Sequence, residues 1–432
     1  MRAELEQAPA ANAGVRWHAR AGRWVAVVGA ALTASPTHCL AIAFLLAQTI
    51  WTFHAIAPMR VYSDEFHHTP QIQQFCAGHY TISRSLPMLP GYHALNAAAA
   101  SVTHDCSLRG MRRFSAACAL LTTLTAFLIL THFKSQYALS RALSFHFIPF
   151  LFPYAFIVYT DVTALLFGLL VVWLTCKERW VLAGSVGSLG ILVRQTNLVM
   201  LGFTLFMALR PVDLEASLRQ NVLDYFKRSA TSLAGIAGFA VFAVLNHGVT
   251  LGNAAAFHQP GLHVANVYFT LGLLACTSLP VVWSTLWRRQ TLLLSTGFLT
   301  ALLAAFVLYM RSFAVTHPWN ITPQHFVRNA ILAWATASYL SKMLFFIPIA
   351  LGFALVASTK LVKPSLWLWV PLSCALLLPQ SLIEQRYSLL PIALWSLFRK
   401  DTTPGAEALS VVTNAIAAVF LLLWIDKYAL WF

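Results

Sequence analysis

Apolar runs close to the length of a membrane crossing recur from residue 39 to residue 425, and no other feature limits the fold so tightly. About 20 apolar residues are needed to cross the ~30 Å hydrocarbon core of a bilayer. Where the strand alternation of a barrel is absent, only helices can do so without orphaning backbone groups. The runs lie at 39–57, 114–132, 142–159, 162–176, 181–193, 198–209, 229–245, 266–283, 291–310, 330–357, 365–379, 387–398 and 409–425. The short runs at 181–193 and 198–209 meet at the polar step Arg194-Gln195-Thr196-Asn197 and read as tilted or broken helices. Charged residues make up only 10% of the chain, against about a quarter in a soluble domain. A soluble enzyme, a coiled coil and a disordered chain are thereby excluded. The expectation is an all-α, polytopic membrane protein of about 11 to 13 transmembrane helices with a long first external loop.

The net charge of +15 does not point to nucleic acid, because loops that orient a membrane protein carry excess Lys and Arg. With the Arg-bearing segment 1–38 in the cytoplasm and no cleavable signal before the first anchor, 18 of the 29 Lys and Arg fall on the cytoplasmic side. Residues 39–432 then form a single transmembrane domain, and 58–113 is its long external loop. Within that loop, Met88 to Val102 is apolar enough to lie on the membrane as an interfacial helix with Tyr92 and His93 at its rim. The seven Cys show no metal-ligand spacing; at most one disulfide, between Cys76 and Cys106, is expected, and no metal cage. Internal repeats and low-complexity linkers are not found.

The external face collects the chemistry. Asp64 and Glu65 form an adjacent carboxylate pair in a chain with 14 acidic residues, and such a pair beside an apolar rim can serve as a general base. The plainer reading is a solvated loop charge, or Asp64 starting a helix over 65–76. Asp161 at the edge of an apolar run can orient a base or hold a sugar hydroxyl, or simply cap the following helix. Arg194 and Arg386 interrupt apolar segments, where a guanidinium is costly without an anionic partner. Together they suit a lipid phosphate; singly, an ion pair of Arg194 with Asp161 or of Arg386 with Glu384 is equally natural. His258, His263 and His325 are scattered without zinc spacing, and metal is the minority reading.

The run DEFHHTPQIQQFCAG from Asp64, with LPGY at 89–92, YTD at 159–161, RQTN at 194–197, NHG to LGN at 246–253, THP at 316–318 and QRYSLLP at 385–391, resembles in order the α-1,2-glucosyltransferase family that adds the terminal glucose to dolichol-linked oligosaccharide. The resemblance covers nearly the whole chain and implies the architecture of the C-type membrane glycosyltransferases. It implies catalytic roles for Asp64 and Glu65, with Asp64 the base. It also implies substrate contacts from His68, Gln71, Asp161, Arg194, Gln195, Asn197, His258, His263, His325, Arg386 and Tyr387. No cofactor is implied beyond the donor, a polyprenyl-phosphate sugar. Two segments depart from the family pattern: Tyr80 to Leu86 reads YTISRSL, and residues 322–326 read TPQHF. Arg far outnumbers Lys, a composition that suggests a bacterial host using an undecaprenyl-phosphate sugar.

The expected activity is therefore inverting transfer of glucose or another hexose from polyprenyl phosphate to a lipid-linked or surface glycan, with an α-1,2 linkage. The expected partners are that donor, that acceptor and the lipid bilayer, with no nucleic acid. The membrane is the bacterial inner membrane or, in a eukaryote, the endoplasmic reticulum. A transporter or lipid flippase, or a non-catalytic relative, is the competing reading; a transporter calls for charges within the spans, of which Lys342 is the clear instance.

Overall fold

The computed structural model describes residues 36–209, 217–253, 261–322 and 326–428. His258 and His325 lie outside the described residues. The chain divides into a unit over Met1–Ala55 and a second over Ile56–Phe432. Helix α1 (Pro36–Ile56) accounts for the described part of the first.

In the second unit, α2 (Glu65–Cys76) and α3 (Gly91–Val102) precede the first long span, α4 (Leu108–His132). There follow α5 (Ala138–His146), α6 (Thr160–Cys176), α7 (Trp180–Val193), α8 (Leu198–Ala208) and α9 (Leu218–Leu245). The longer helices of the remainder are α10 (Ala265–Thr277), α11 (Leu279–Arg288), α12 (Thr296–Ser312), α13 (Val327–Ala337), α14 (Tyr339–Ser358), α15 (Trp369–Leu377), α16 (Leu389–Phe398) and α17 (Pro404–Tyr428). Among the described residues five helices, α1, α4, α9, α14 and α17, are long and apolar enough to cross a membrane, and α10 with α11 makes a sixth if the bent pair counts as one span. The protein is an all-α, multi-pass membrane protein.

Several expected spans are broken. The run 142–159 is not one helix: α5 stops at His146, and only a short 3-10 turn at Phe152–Ala155 follows. The run 266–283 bends by 90° between α10 and α11. The run 330–357 divides at Ser338, whose hydroxyl accepts the Ser341 amide at 3.0 Å and starts α14 afresh. Lys342 therefore sits in the first turn of α14, and its ammonium donates to the carbonyls of Met310 and Phe313, both at 2.8 Å, at the end of α12. It closes a helix terminus instead of standing in a pathway.

A core of Ile72, Phe75, Tyr92, Met111, Val158 and Val193 ties α2 and α3 to α4 and α7 and to the stretch before α6. The α3 helix is held in place by Gly91, where a Cβ would lie 2.6 Å from the backbone of Leu192 in α7, so only glycine permits the approach. The expected rim residues Tyr92 and His93 are both 0% exposed. Thus α3 turns its polar residues inward, His93 onto His68 of α2 and Asn96 onto the Met111 carbonyl of α4, the reverse of a helix lying on lipid. The expected disulfide joins Cys76 at the end of α2 to Cys106 ahead of α4.

Candidate active site

The site is built on the turn that leads into α2. Ser63 adopts φ +49°, a left-handed conformation that costs a non-glycine residue energy and persists only where neighbours hold it. The turn sends the two adjacent carboxylates to different places. Glu65 is 0% exposed, as is its partner Arg112 of α4. Arg112 Nε and Nη2 donate to the two Glu65 oxygens at 2.9 and 2.6 Å. The amides of Val158 and Tyr62 complete the set at 2.7 and 2.8 Å. Arg112 spends its remaining donors on the carbonyls of Ile56, Met59 and Arg60, at 3.1, 2.9 and 3.0 Å. A buried charge pair satisfied on every side locks the segment 56–65 against α4 and the strip before α6.

Asp64 stands at the N-cap position of α2 without capping it; no side-chain cap bond is made. Its carboxylate, 39% exposed, meets Arg386 at 2.6 Å, while its amide donates to the Tyr159 hydroxyl at 3.1 Å. Arg386 is the hub. It contacts Glu384 at 2.6 Å and Asp161 at 3.9 Å, and lies 5.5 Å from the Tyr159 ring centre. Arg328 of α13 holds the other Glu384 oxygen at 2.8 Å, and Arg194 pairs with Asp161. Three guanidiniums thus face three carboxylates, and the cluster is electrically balanced.

These groups border a cavity of about 350 Å³ whose wall includes Asp64, His68, Tyr159, Arg194, Arg328 and Arg386. A second cavity of about 380 Å³ shares Pro87, Met88, Arg194 and Tyr387 with the first and continues past Leu198, Val199 and Phe239. Its wall is mostly apolar.

Burial shifts the titrating groups. Desolvation, assisted by the Arg386 charge, pushes the His68 imidazole down to about 3, so it is neutral near pH 7. Its Nδ1 lies 3.0 Å from Nε2 of His93, whose own value is driven well below the usual range by burial. Burial alone would raise Glu384, but the charges of Arg386 and Arg328 prevail and hold its carboxyl below the ordinary value. For Arg386 burial works against the charge, and Glu384 with Asp64 outweighs it, fixing the guanidinium as a permanent cation.

The expected site residues therefore separate into groups. Asp64, His68, Arg194, Arg386 and Tyr387 line the first cavity. Gln195 lines the second and donates to the Pro87 carbonyl at 3.0 Å. Asp161 stands just behind the wall, holding Arg194 in place. Glu65, Gln71 and Asn197 line neither cavity. Glu65 is sealed by Arg112; Gln71 bridges the Thr81 carbonyl and the Ser83 amide at 2.8 and 2.7 Å; Asn197 bridges the carbonyls of Ala164 and Gly190, both at 3.1 Å. These three act on the backbone that shapes the site. His263 is half-buried, borders neither cavity, and its amide donates to the Leu378 carbonyl at 2.8 Å. Arg328 and Tyr154 join the cavity wall although their place in the sequence does not single them out, and His93, expected at a membrane rim, instead backs His68; Arg328 carries the same signal as Arg194, a guanidinium set against an apolar run.

A multi-pass helical membrane protein with a charge-balanced polar cavity opening beside an apolar one is the class that fold and site define. Within that class the chain belongs to the DIE2/ALG10 family, whose sequence profile matches residues 59–222 and 213–397. Relatives include proteins named Dol-P-Glc:Glc(2)Man(9)GlcNAc(2)-PP-Dol alpha-1,2-glucosyltransferase. The one from Candida albicans is 23% identical, the match covering 58% of this chain and 60% of that protein. The one from Arabidopsis thaliana is 24% identical over 78% and 85%, and a human one is 22% identical over 83% and 88%. Among solved structures, apo ArnT from Cupriavidus metallidurans aligns with a TM-score of 0.38 at 13% identity, over 88% of this chain and 77% of that one.

Proposed function

We propose that the protein is an inverting glycosyltransferase that moves glucose, or another hexose, from a polyprenyl-phosphate sugar to a hydroxyl of a lipid-linked or surface glycan on the non-cytoplasmic face, forming an α-1,2 linkage. The observation that carries this reading is the contact of Asp64 with Arg386 at the cavity wall. A polyprenyl-phosphate sugar is a phosphodiester with one negative charge. The site's own charges already balance, so the donor phosphate takes up Arg386 in competition with Asp64. Release from that guanidinium frees the Asp64 carboxylate to face the acceptor hydroxyl.

In the transfer step Asp64 accepts the proton of the acceptor hydroxyl, whose oxygen attacks the anomeric carbon. The bond from that carbon to the phosphate oxygen breaks, and its electron pair leaves with polyprenyl phosphate. A β-linked donor then gives an α-linked product. The second negative charge that develops on the phosphate is met by Arg386 and Arg194, already fixed in place by Glu384 and Asp161. Neutral His68 offers a hydrogen bond to a sugar hydroxyl without adding charge. The apolar second cavity suits the first isoprene units of the donor. Glu65 acts as a positioning residue that holds Asp64 at the wall. The same chemistry serves an undecaprenyl donor in a bacterial inner membrane or a dolichyl donor in the endoplasmic reticulum.

The test is incubation of the purified protein with radiolabelled polyprenyl-phosphate glucose, and separately mannose, together with glycolipid acceptors, followed by linkage analysis of any product. Glucose transfer with inversion supports the reading. Retention of configuration, or label released only to water, overturns it.

A further inference from the structure

Arg386 and Arg399 flank α16, a helix of 10 residues and thus about 15 Å long. Beyond its far end lies a separate cavity of about 310 Å³ between α11, the end of α14 and the segment before α17. Arg288, Arg289, Lys360 and Lys400 line it. The acidic groups nearby are already engaged: Asp401 by Arg141 at 2.7 Å, and Glu407 by Arg399 at 2.6 Å. Among the described residues none of the four cations makes an ion pair. Ser358 also lines the cavity; it is 4% exposed, and its hydroxyl has no hydrogen-bond partner. Burying a hydroxyl unpaired is unfavourable, so a missing acceptor is indicated.

The helix beside the cavity says what kind of molecule carries that acceptor. Leu279, Trp283 and Trp287 recur every four residues on one face of α11 and are 53%, 74% and 68% exposed. The two indoles stack with centroids 6.2 Å apart. Val281, Ser284, Thr285 and Arg288, on the opposite face, line the cavity. Because α11 turns by 90° from α10, it runs across the direction of that helix. An amphipathic helix with exposed Trp on one face and Arg at its end is built to lie at the membrane interface. Basic pockets at that level bind anionic head groups.

We propose that this cavity binds the phosphate head group of an anionic glycerophospholipid, with the four cations around the phosphate and the Ser358 hydroxyl donating to it. The site stands apart from the Asp64 cavity and does not depend on the sugar-transfer reading.

Native mass spectrometry of the full chain in detergent tests it, with phosphatidylglycerol, phosphatidylcholine, glycerol 3-phosphate and inorganic phosphate as probes. Wild type should retain phosphatidylglycerol in preference to phosphatidylcholine. K360Q/K400Q, changing two exposed side chains, and R288Q/R289Q should each weaken phosphatidylglycerol binding by about tenfold or more and leave phosphatidylcholine unchanged. Equal retention of the two lipids by wild type, or unchanged phosphatidylglycerol binding in both variants, overturns the proposal. Displacement of the lipid by equimolar inorganic phosphate or glycerol 3-phosphate also overturns it, because the site would then take a free phosphate.

Discussion

Asp64 and Glu65 are neighbours in the chain and opposites in environment: Asp64 opens on the cavity against Arg386, whereas Glu65 is sealed between Arg112 and two backbone amides. An acidic pair that reads as one functional unit is thus a reactive group and the fastener beside it. The division follows from the left-handed turn at Ser63 and from the four hydrogen bonds that fill every acceptor direction of Glu65.

Breaking the fastener should destabilise the fold. Removing one member of a fully buried ion pair leaves the other uncompensated and costs about 3–5 kcal/mol. R112M alone should therefore lower the unfolding midpoint in detergent sharply. The double variant E65Q/R112M should recover part of the loss, since no charge is then stranded. A midpoint for R112M within error of wild type would show that the pair does not hold the segment.

Asp64 should behave in the opposite way. D64N keeps the shape and leaves the partly exposed position without its charge, so the unfolding midpoint should stay close to that of wild type. Sugar transfer should fall by about 10²–10⁴-fold, the span that general-base catalysis usually contributes. Turnover by D64N near the wild-type rate would remove the proposed base.

The sequence made the membrane class, the Asp64 run and the pairing of Arg194 with Asp161 readable because each rests on the cost of polar groups near lipid. It did not reveal the breaks at Ser278 and Ser338, since a serine inside an apolar run barely lowers hydropathy, and the capping bond that Ser338 makes is a local three-dimensional event. Nor could it show which carboxylate is buried: Arg112 lies 47 residues from Glu65, and nothing in the spacing couples them. The contact of His68 with His93 crosses 25 residues and depends on α3 folding inward over α2. Arg328 is within reach of the same reasoning that singles out Arg194, yet in the sequence it reads only as one more charge on the external side.

Arg386 should not tolerate a change of geometry. Its two terminal nitrogens divide between Asp64 and Glu384, each at 2.6 Å, a planar fork that an ammonium cannot reproduce. R386K should keep the positive charge yet lose at least about tenfold in kcat/KM for a polyprenyl-phosphate sugar. R386A should lose more, with weaker donor binding by direct titration. Equal donor affinity in R386K and R386A would argue that the fork makes no contact with phosphate.

Acid should loosen the site through its buried imidazoles. The His68 value lies at about 3 in the folded protein against 6.5 in an unfolded chain, so between those values the unfolded chain binds a proton there and the folded one does not. Stability from this group is therefore fully present above 6.5 and is lost as pH falls, by up to about 1.4 kcal/mol per pH unit. His93, depressed by the same burial, acts in the same direction. Unfolding midpoints measured from about pH 7 down to about pH 5 should fall for wild type, in a range where carboxylates with ordinary values near 4 remain charged. In H68Q the midpoint at pH 7 is lower, because the contact with His93 is changed, but the dependence on pH should be shallower by about one proton. Parallel wild-type and H68Q curves across that range would show that the imidazole takes up its proton in the folded protein and is not held neutral beside Arg386.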